Sequence, residues 1–256
     1  MRSFLTSIIF YTRIPIKVKG EITSEDLGKA TPYFPYIGII FGAITFAVYW
    51  ASSFFFDFGV AWILAIGAGF LVTGGFHEDG IADTADGIGG GWDSESILRI
   101  MKDSRVGTFG SLCLWFILTT KWYALRSVSL YYSTADLLLI WMSIQVISRT
   151  WPLYFKTLLP YAAADALSKS KPIGIHTFGK KEWIIALAPG ITCLFFLWNL
   201  DLRFQFFCSV IFPLLVVLFF RKKCSKWVEG YTGDILGAIQ QATELAIILA
   251  FLISWP

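Results

Sequence analysis

The sequence predicts an all-α integral membrane protein with about seven transmembrane helices, and three observations carry that prediction. The first is polarity. Of the 256 residues, 56% are hydrophobic and 15% charged, with a mean hydropathy of +0.65, whereas soluble domains carry about a quarter charged residues. Second, the apolar residues lie in long unbroken runs, and a run of about 18 or more reads as a membrane span. Third, the connections between runs alternate between rich and poor in lysine and arginine.

The runs fall at roughly 33–56, 60–76, 108–128, 135–158, 183–199, 204–220 and 234–254. Some are short for a hydrocarbon core of about 30 Å, so tilt is expected. Residues 1–18, MRSFLTSIIFYTRIPIKV, lack a small-residue cleavage site and carry Arg13 and Lys17 beyond their apolar part. That argues against a cleaved signal peptide and for an interfacial helix on the membrane surface. Basic residues cluster in the N-terminal segment (Arg2, Arg13, Lys17, Lys19, Lys29) and after the second run (Arg99, Lys102, Arg105). They recur in 159–182 (Lys169, Lys171, Lys180, Lys181) and in 221–233 (Arg221, Lys222, Lys223, Lys226). The turns near 57–59 and 129–134 have none, and the turn near 199–203 has only Arg203. The bias places the N-terminus and the three longer connections in the cytoplasm, and the C-terminus outside.

The expectation is one polytopic domain, 1–256, in the cell's inner (plasma) membrane, with its polar loops all on the cytoplasmic side. Cys113, Cys193, Cys208 and Cys224 are scattered and form no C-x-x-C, which excludes a zinc site or disulfide framework. A net charge of +3 is too small to argue for a nucleic-acid partner.

Against this apolar background stands GGFHEDGIADTADGIGGG, Gly74 to Gly91. Asp79, Asp83 and Asp86 are spaced i, i+4, i+7, which puts all three on one face of a helix. Bare carboxylates on one face repel, so a stable arrangement needs a cation. Hard oxygen donors suit Mg²⁺, which takes one or two carboxylates, several waters and phosphate oxygens. Glu78 points about 100° away from Asp79 and is a weaker ligand. His77 reads as a metal ligand, a base, or a structural hydrogen bonder at a helix end. A solvated acidic loop is the plain alternative.

Cationic partners for a phosphate follow in RIMKDSRVGTFG, Arg99–Gly110, where Lys102 and Arg105 flank Asp103, and Gly107 precedes the third run. The alternative is that these basic residues only set topology. Arg149 lies well inside the fourth run and is a functional candidate by default, with a structural ion pair to Glu244 as the other reading. At the last run, Thr232 is a candidate cap, Gly233 and Asp234 open the helix, and Gln241 lies close to Asp234's face. This second polar stripe either completes a metal or substrate site or merely caps a helix. The loop Pro172–Trp183 reads as a substrate-side segment.

The stretches FHEDGIADTADG, RIMKDSRVGTFG and GYTGDILGA resemble the three signatures of the cobalamin synthase family, the adenosylcobinamide-GDP ribazoletransferases. FYTRIP, FPYIG at Phe34–Gly38 and SRT at Ser148–Thr150 are similar too, in the same order along nearly the whole chain. The resemblance implies a Mg²⁺-dependent membrane enzyme of late vitamin B12 biosynthesis. It would join adenosylcobinamide-GDP to α-ribazole or its 5′-phosphate and release GMP. Joined to the reading of the residues, it implies Asp79, Asp83 and Asp86 on the metal. Lys102, Asp103, Arg105, Asp234 and His77 would act in catalysis, and Arg149, Thr232, Gly233, Gln241 and Gly107 in substrate binding. Glu78 departs from the family, which usually has leucine there. Membrane lipid and other corrinoid-pathway membrane proteins are the expected surroundings.

Two other readings compete. Phosphotransferases that make phospholipid head groups use D-G-x-x-A-R with two further aspartates, but here Asp79-Gly80 leads to Ala82-Asp83 with no arginine. A divalent-cation transporter would show repeated halves with broken helices at the midplane, and the sequence shows neither.

Overall fold

A computed structural model describes residues 1–162, 171–200 and 202–253. Lys169, counted above among the loop lysines, and the last residue of the seventh run lie outside these described residues. The helices are α1 (Arg2–Tyr11), α2 (Ser24–Ala30), α3 (Phe34–Ser52), α4 (Phe58–Thr73), α5 (Phe76–Gly90), α6 (Ser94–Met101) and α7 (Thr108–Val128). They continue with α8 (Thr134–Phe155), α9 (Lys171–Ile175), α10 (Lys180–Asn199), α11 (Arg203–Trp227) and α12 (Gly233–Ala250). A 3₁₀ turn, Thr31–Tyr33, joins α2 to α3. Among the described residues the chain forms no strand, only an isolated bridge between Tyr161 and Tyr231.

A helix lies on each of the seven apolar runs. Three stretches are long and apolar enough to cross a membrane, Ser24–Ser52, α10 and α11, and α4 with α5 makes a fourth if the bent pair counts as one span. That pair is bent by 90°. The cause is local: Gly74 and Gly75 have φ of 70° and 72°, a left-handed conformation that side chains disfavour. The Gly74 N–H closes α4 on the Phe70 carbonyl at 2.7 Å, and α5 starts afresh after Gly75. The acidic stretch is therefore a separate helix, set at a right angle to the apolar one before it.

Polar residues explain why α7, α8 and α12 fall outside the set of apolar spans. Lys121 on α7, Gln145, Ser148 and Arg149 on α8, and Gln240, Gln241 and Glu244 on α12 are all buried. These helices are central: α12 packs on α5, α7, α8 and α11, and α8 packs on α3 and α10. By contrast α10 and α11 are peripheral and expose Ile184, Ile191, Phe195, Ile211, Leu215 and Phe219. Such an apolar exterior suits hydrocarbon. The amphipathic N-terminal segment forms α1 as expected, and Tyr11 stacks on Phe34 of α3 with ring centroids 4.3 Å apart.

The contact that matters most for the site is α5 on α12. A Cβ added at Gly80 would sit 2.8 Å from the Asp234 carbonyl oxygen and 3.1 Å from its Cα. Gly237 answers it, with Gly80 Cα and the His77 backbone 3.5 Å from where its own Cβ would be. The two helices thus cross backbone to backbone. Gly80→Val should wedge them apart and cost about 1–3 kcal/mol. Gly67→Ala on α4, where a Cβ meets nothing within 4 Å, should be neutral or stabilising by up to about 1 kcal/mol. Thermal unfolding of both variants in nanodiscs checks the contrast.

Candidate functional site

The crossing sets two acidic helix starts side by side. Asp79 and Asp83 stand on α5, exposed and half-buried, and half-buried Asp234 lies in the first turn of α12. Asp79, Asp234 and Asp86 each repel charge on Asp83, and Asp79 also repels charge on Asp234. Carboxylates from two distant segments therefore share one patch. Among the described residues, no three His, Cys, Asp or Glu side chains stand as a ready ligand set. An open Mg²⁺ site does not require one, because water and phosphate oxygens fill most positions. Carboxylate oxygens are hard donors, the donor type that suits that ion.

Asp86 behaves differently from its two neighbours. It is 8% exposed, and its carboxylate accepts from the Gly107 N–H at 2.7 Å and the Gly110 N–H at 2.8 Å. These are orphan donors at the N-terminus of α7, so Asp86 caps a helix other than its own. Gly107, expected on the substrate side, gives its N–H to this cap. Asp79, Asp83 and Asp234 are the aspartates of the patch that cap no other helix.

The basic segment lies between α6 and α7. Lys102 ends α6 and is exposed. Arg105 and Asp103 pair with each other at 2.6 Å, with the Arg105 side chain 88% exposed. Hydrogen bonds from the Arg105 guanidinium and its backbone N–H hold the Asp103 carboxyl down at about 2, so it stays ionised at physiological pH. Thr232 caps α12 by accepting from the Ile235 N–H at 3.3 Å, and Gly233 is the first helical residue. In the Pro172–Trp183 loop, His176 and Glu182 are 2.9 Å apart.

Beneath the acidic face runs a buried polar network. Lys121 pairs with Glu244 at 2.9 Å, the two side chains being 5% and 3% exposed. Lys121 also donates to Gln241 Oε1 at 2.8 Å, and Gln241 Nε2 donates to Glu78 Oε1 at 3.0 Å. Gln240 Nε2 donates to Glu244 Oε2 at 2.8 Å. The suggested pairing of Arg149 with Glu244 is corrected here, since Glu244 takes Lys121. Arg149 instead donates to the Gln145 carbonyl at 3.0 Å and to Gln145 Oε1 at 2.6 Å. Its guanidinium lies 4.6 Å over the Phe41 ring. The structure therefore places Arg149 and Gln241 in the interior. His77 is buried beside them, its ring 5.4 Å from that of Phe34 and its Nε2 without a hydrogen-bond partner among the described residues.

Sequence reading passed over two of the buried cations. Lys121 lies inside the third apolar run, and the rule that selected Arg149 selects it equally. Lys156, at the end of the fourth run, is 8% exposed with its Nζ 4.6 Å from the Phe178 ring centroid. Removing Lys121 alone leaves Glu244 charged and buried. Lys121→Met should therefore destabilise by about 3–5 kcal/mol, and adding Glu244→Met should recover most of that loss. Asp86→Ala, which strips one buried and one part-buried N–H group of their acceptor, should cost about 1–3 kcal/mol. Thermal unfolding in nanodiscs reads all three.

A family model described as cobalamin-5-phosphate synthase matches residues 3–252. An adenosylcobinamide-GDP ribazoletransferase of Shewanella baltica is 38% identical over 253 residues, covering 98% of this chain and 93% of the relative. Proteins of the same name from Shewanella amazonensis and Shewanella frigidimarina are 38% and 39% identical, over 98% and 97% of this chain and 95% and 93% of their own length. No solved structure matches. These similarities favour neither the lipid head-group nor the transporter reading. The chain belongs to the cobalamin-5-phosphate synthase family.

Proposed function

We infer that the acidic face of Asp79, Asp83 and Asp234 is the active site of the ribazoletransferase reaction. The chain joins adenosylcobinamide-GDP to ribazole to give cobalamin, the final step of cobalamin synthesis. The observation that carries the assignment of the site is the α5–α12 crossing, which gathers carboxylates from two of the signature stretches. The family description names a cobalamin 5-phosphate product, which favours ribazole 5′-phosphate as the acceptor substrate.

Asp79 and Asp83, with Asp234 across the crossing, would hold Mg²⁺ against the diphosphate of the GDP-activated corrinoid. When bound, Mg²⁺ supplies charge neutralisation at the diphosphate and at the departing GMP. Lys102 and Arg105 reach the same phosphates from the α6–α7 connection and offset the remaining negative charge. The ribazole hydroxyl attacks the cobinamide-linked phosphorus, a new P–O bond forms, and the bond to GMP breaks. The hydroxyl proton passes to one of the half-buried carboxylates of the face, Asp83 or Asp234. Asp103 orients Arg105. Glu78, Gln241, Lys121 and Arg149 hold α5, α7, α8 and α12 in register beneath. Thr232 and Gly233 fix the first turn that presents Asp234.

Seven spans in the inner membrane, the N-terminus in the cytoplasm and the acidic face toward the cytoplasm complete the proposal. The helices on all seven apolar runs and the alternation of basic loops support it.

The test follows GMP release from purified protein in nanodiscs given adenosylcobinamide-GDP, ribazole 5′-phosphate and Mg²⁺. Asp83→Asn should lower the rate by about a hundredfold or more, and EDTA should abolish it until Mg²⁺ is restored. Unchanged rates in folded Asp83→Asn protein or in EDTA would sink the metal site. A folded wild-type chain that releases no GMP would sink the reaction.

A further inference from the structure

The peripheral helices α10 and α11 both pack on α8, and the three leave an open groove of about 630 Å³ between them. Trp151 and Tyr154 of α8, Trp183 and Leu187 of α10 and Leu214 of α11 line it. None of its lining residues belongs to α5 or α12. The Trp151 and Tyr154 rings meet edge to face, with centroids 6.0 Å apart. Two threonine hydroxyls on the wall are already committed. Thr150 donates to the Val146 carbonyl at 3.0 Å, and Thr157 to the Tyr154 carbonyl at 2.7 Å. What remains polar is the Tyr154 hydroxyl and the two indole N–H groups, on side chains that suit a membrane interface.

Helix geometry makes the two ends of this groove different. On α10, Lys180, Trp183 and Leu187 are spaced i, i+3, i+7, and on α11 Leu214 and Arg221 are spaced i, i+7. Each cation therefore stands on the groove's own face of its helix. Lys180 starts α10 and Arg221 lies in the last turns of α11. The short turn between the two helices brings both cations to one end, about 10 Å along the axes from Leu187 and Leu214. This is the end that the basic loops assign to the cytoplasm. Lys181 and Lys222 stand next to them, and all four are exposed. Lys180 and Arg221 make no hydrogen bond or ion pair among the described residues. Glu182, the acid beside Lys181, is engaged by His176 and by the Gly179 N–H, each at 2.9 Å. An apolar trough with two unpaired cations at its membrane-surface end has the polarity of a phospholipid, hydrocarbon first and phosphate last. Left unfilled in a bilayer, the trough would forfeit contacts along its whole lining. Basic pockets between helices on the cytoplasmic side draw anionic head groups.

We propose that the groove between α8, α10 and α11 binds one anionic phospholipid, an acyl chain along Trp151, Trp183, Leu187 and Leu214 and the phosphate at Lys180 and Arg221. The proposal rests on the membrane orientation given above and is independent of the ribazoletransferase reaction.

The experiment titrates purified protein in detergent with phosphatidylglycerol or phosphatidylcholine and counts retained lipid by native mass spectrometry. Wild type should retain one phosphatidylglycerol, and phosphatidylcholine more weakly. Lys180→Gln combined with Arg221→Gln, both at exposed positions, should weaken phosphatidylglycerol by about fivefold for each cation removed. Leu187→Trp, at a 37% exposed position, puts a large ring in the trough and should weaken both lipids. Lys17→Gln combined with Lys19→Gln removes the same charge from the N-terminal segment and should change neither. If Leu187→Trp does not fold, the two charge pairs carry the test. Equal retention of the two lipids by wild type overturns the proposal. So does an unchanged phosphatidylglycerol affinity in the folded Lys180/Arg221 variant, or an equal loss in the Lys17/Lys19 variant, which would make the effect one of general surface charge. A dimer that forms without lipid and is lost in Leu187→Trp overturns it in favour of a second copy of this chain. Wild-type protein that stays in solution without detergent and binds no lipid would instead count against the membrane reading.

Discussion

The whole site depends on one constraint, the absence of side chains at Gly80 and Gly237. Ordinary helix pairs stand about 8–10 Å apart, with side chains interdigitated between them. Here the α5 and α12 backbones touch, and the first turns of both helices are drawn to the same place. Each first turn carries carboxylates, and each helix N-terminus adds a partial positive charge that favours them there. Carboxylates set against one another in this way are the donors that the proposed site would offer to a divalent cation and a diphosphate.

Under the face, the interior solves a charge problem of its own. Glu78 and Glu244 meet Lys121 and Arg149 in a region where water is scarce. Lys121 and Glu244 pair directly and Gln241 bridges Lys121 to Glu78, which is how buried charge is tolerated. The amides of Gln241 and Gln240 extend that balance into hydrogen bonds between helices, with Lys121, Glu78 and Ser148. This division of labour also accounts for the architecture. Helices bearing the polar cluster are central, and α10 and α11, which carry none of it, are left at the rim.

Much of this was legible in the sequence. Apolar runs located the long helices, the i, i+4, i+7 spacing of the aspartates placed them on α5, and Thr232 read as a cap does cap α12. What one strand of text does not carry is pairing across distance. Nothing near Asp86 distinguishes it from Asp83, yet its oxygens go to N–H groups 21 and 24 residues away. The choice of Lys121 over Arg149 as the partner of Glu244 depends on how α7, α8 and α12 rotate about their axes, which packing alone decides. The right-angle turn was written in Gly74-Gly75, but adjacent glycines also read as simple loop. His77 and Lys156 are buried against Phe34 and Phe178, each from another segment, and no local pattern announces such contacts.

Asp86 also has a mechanical consequence. By fastening to the start of α7 it ties the chain into a ring in which 21 residues separate the two joined points, with α6 and the Lys102–Arg105 segment along its circumference. A segment anchored at one end diffuses through a large volume, but one anchored at both ends to the same point has only rotation left. Closure of this kind removes entropy in advance rather than at the moment of binding. The basic residues are therefore leashed beside the acidic face, and α6 is seated on α5 through buried Ile97 and Met101 against Gly87 and Gly91.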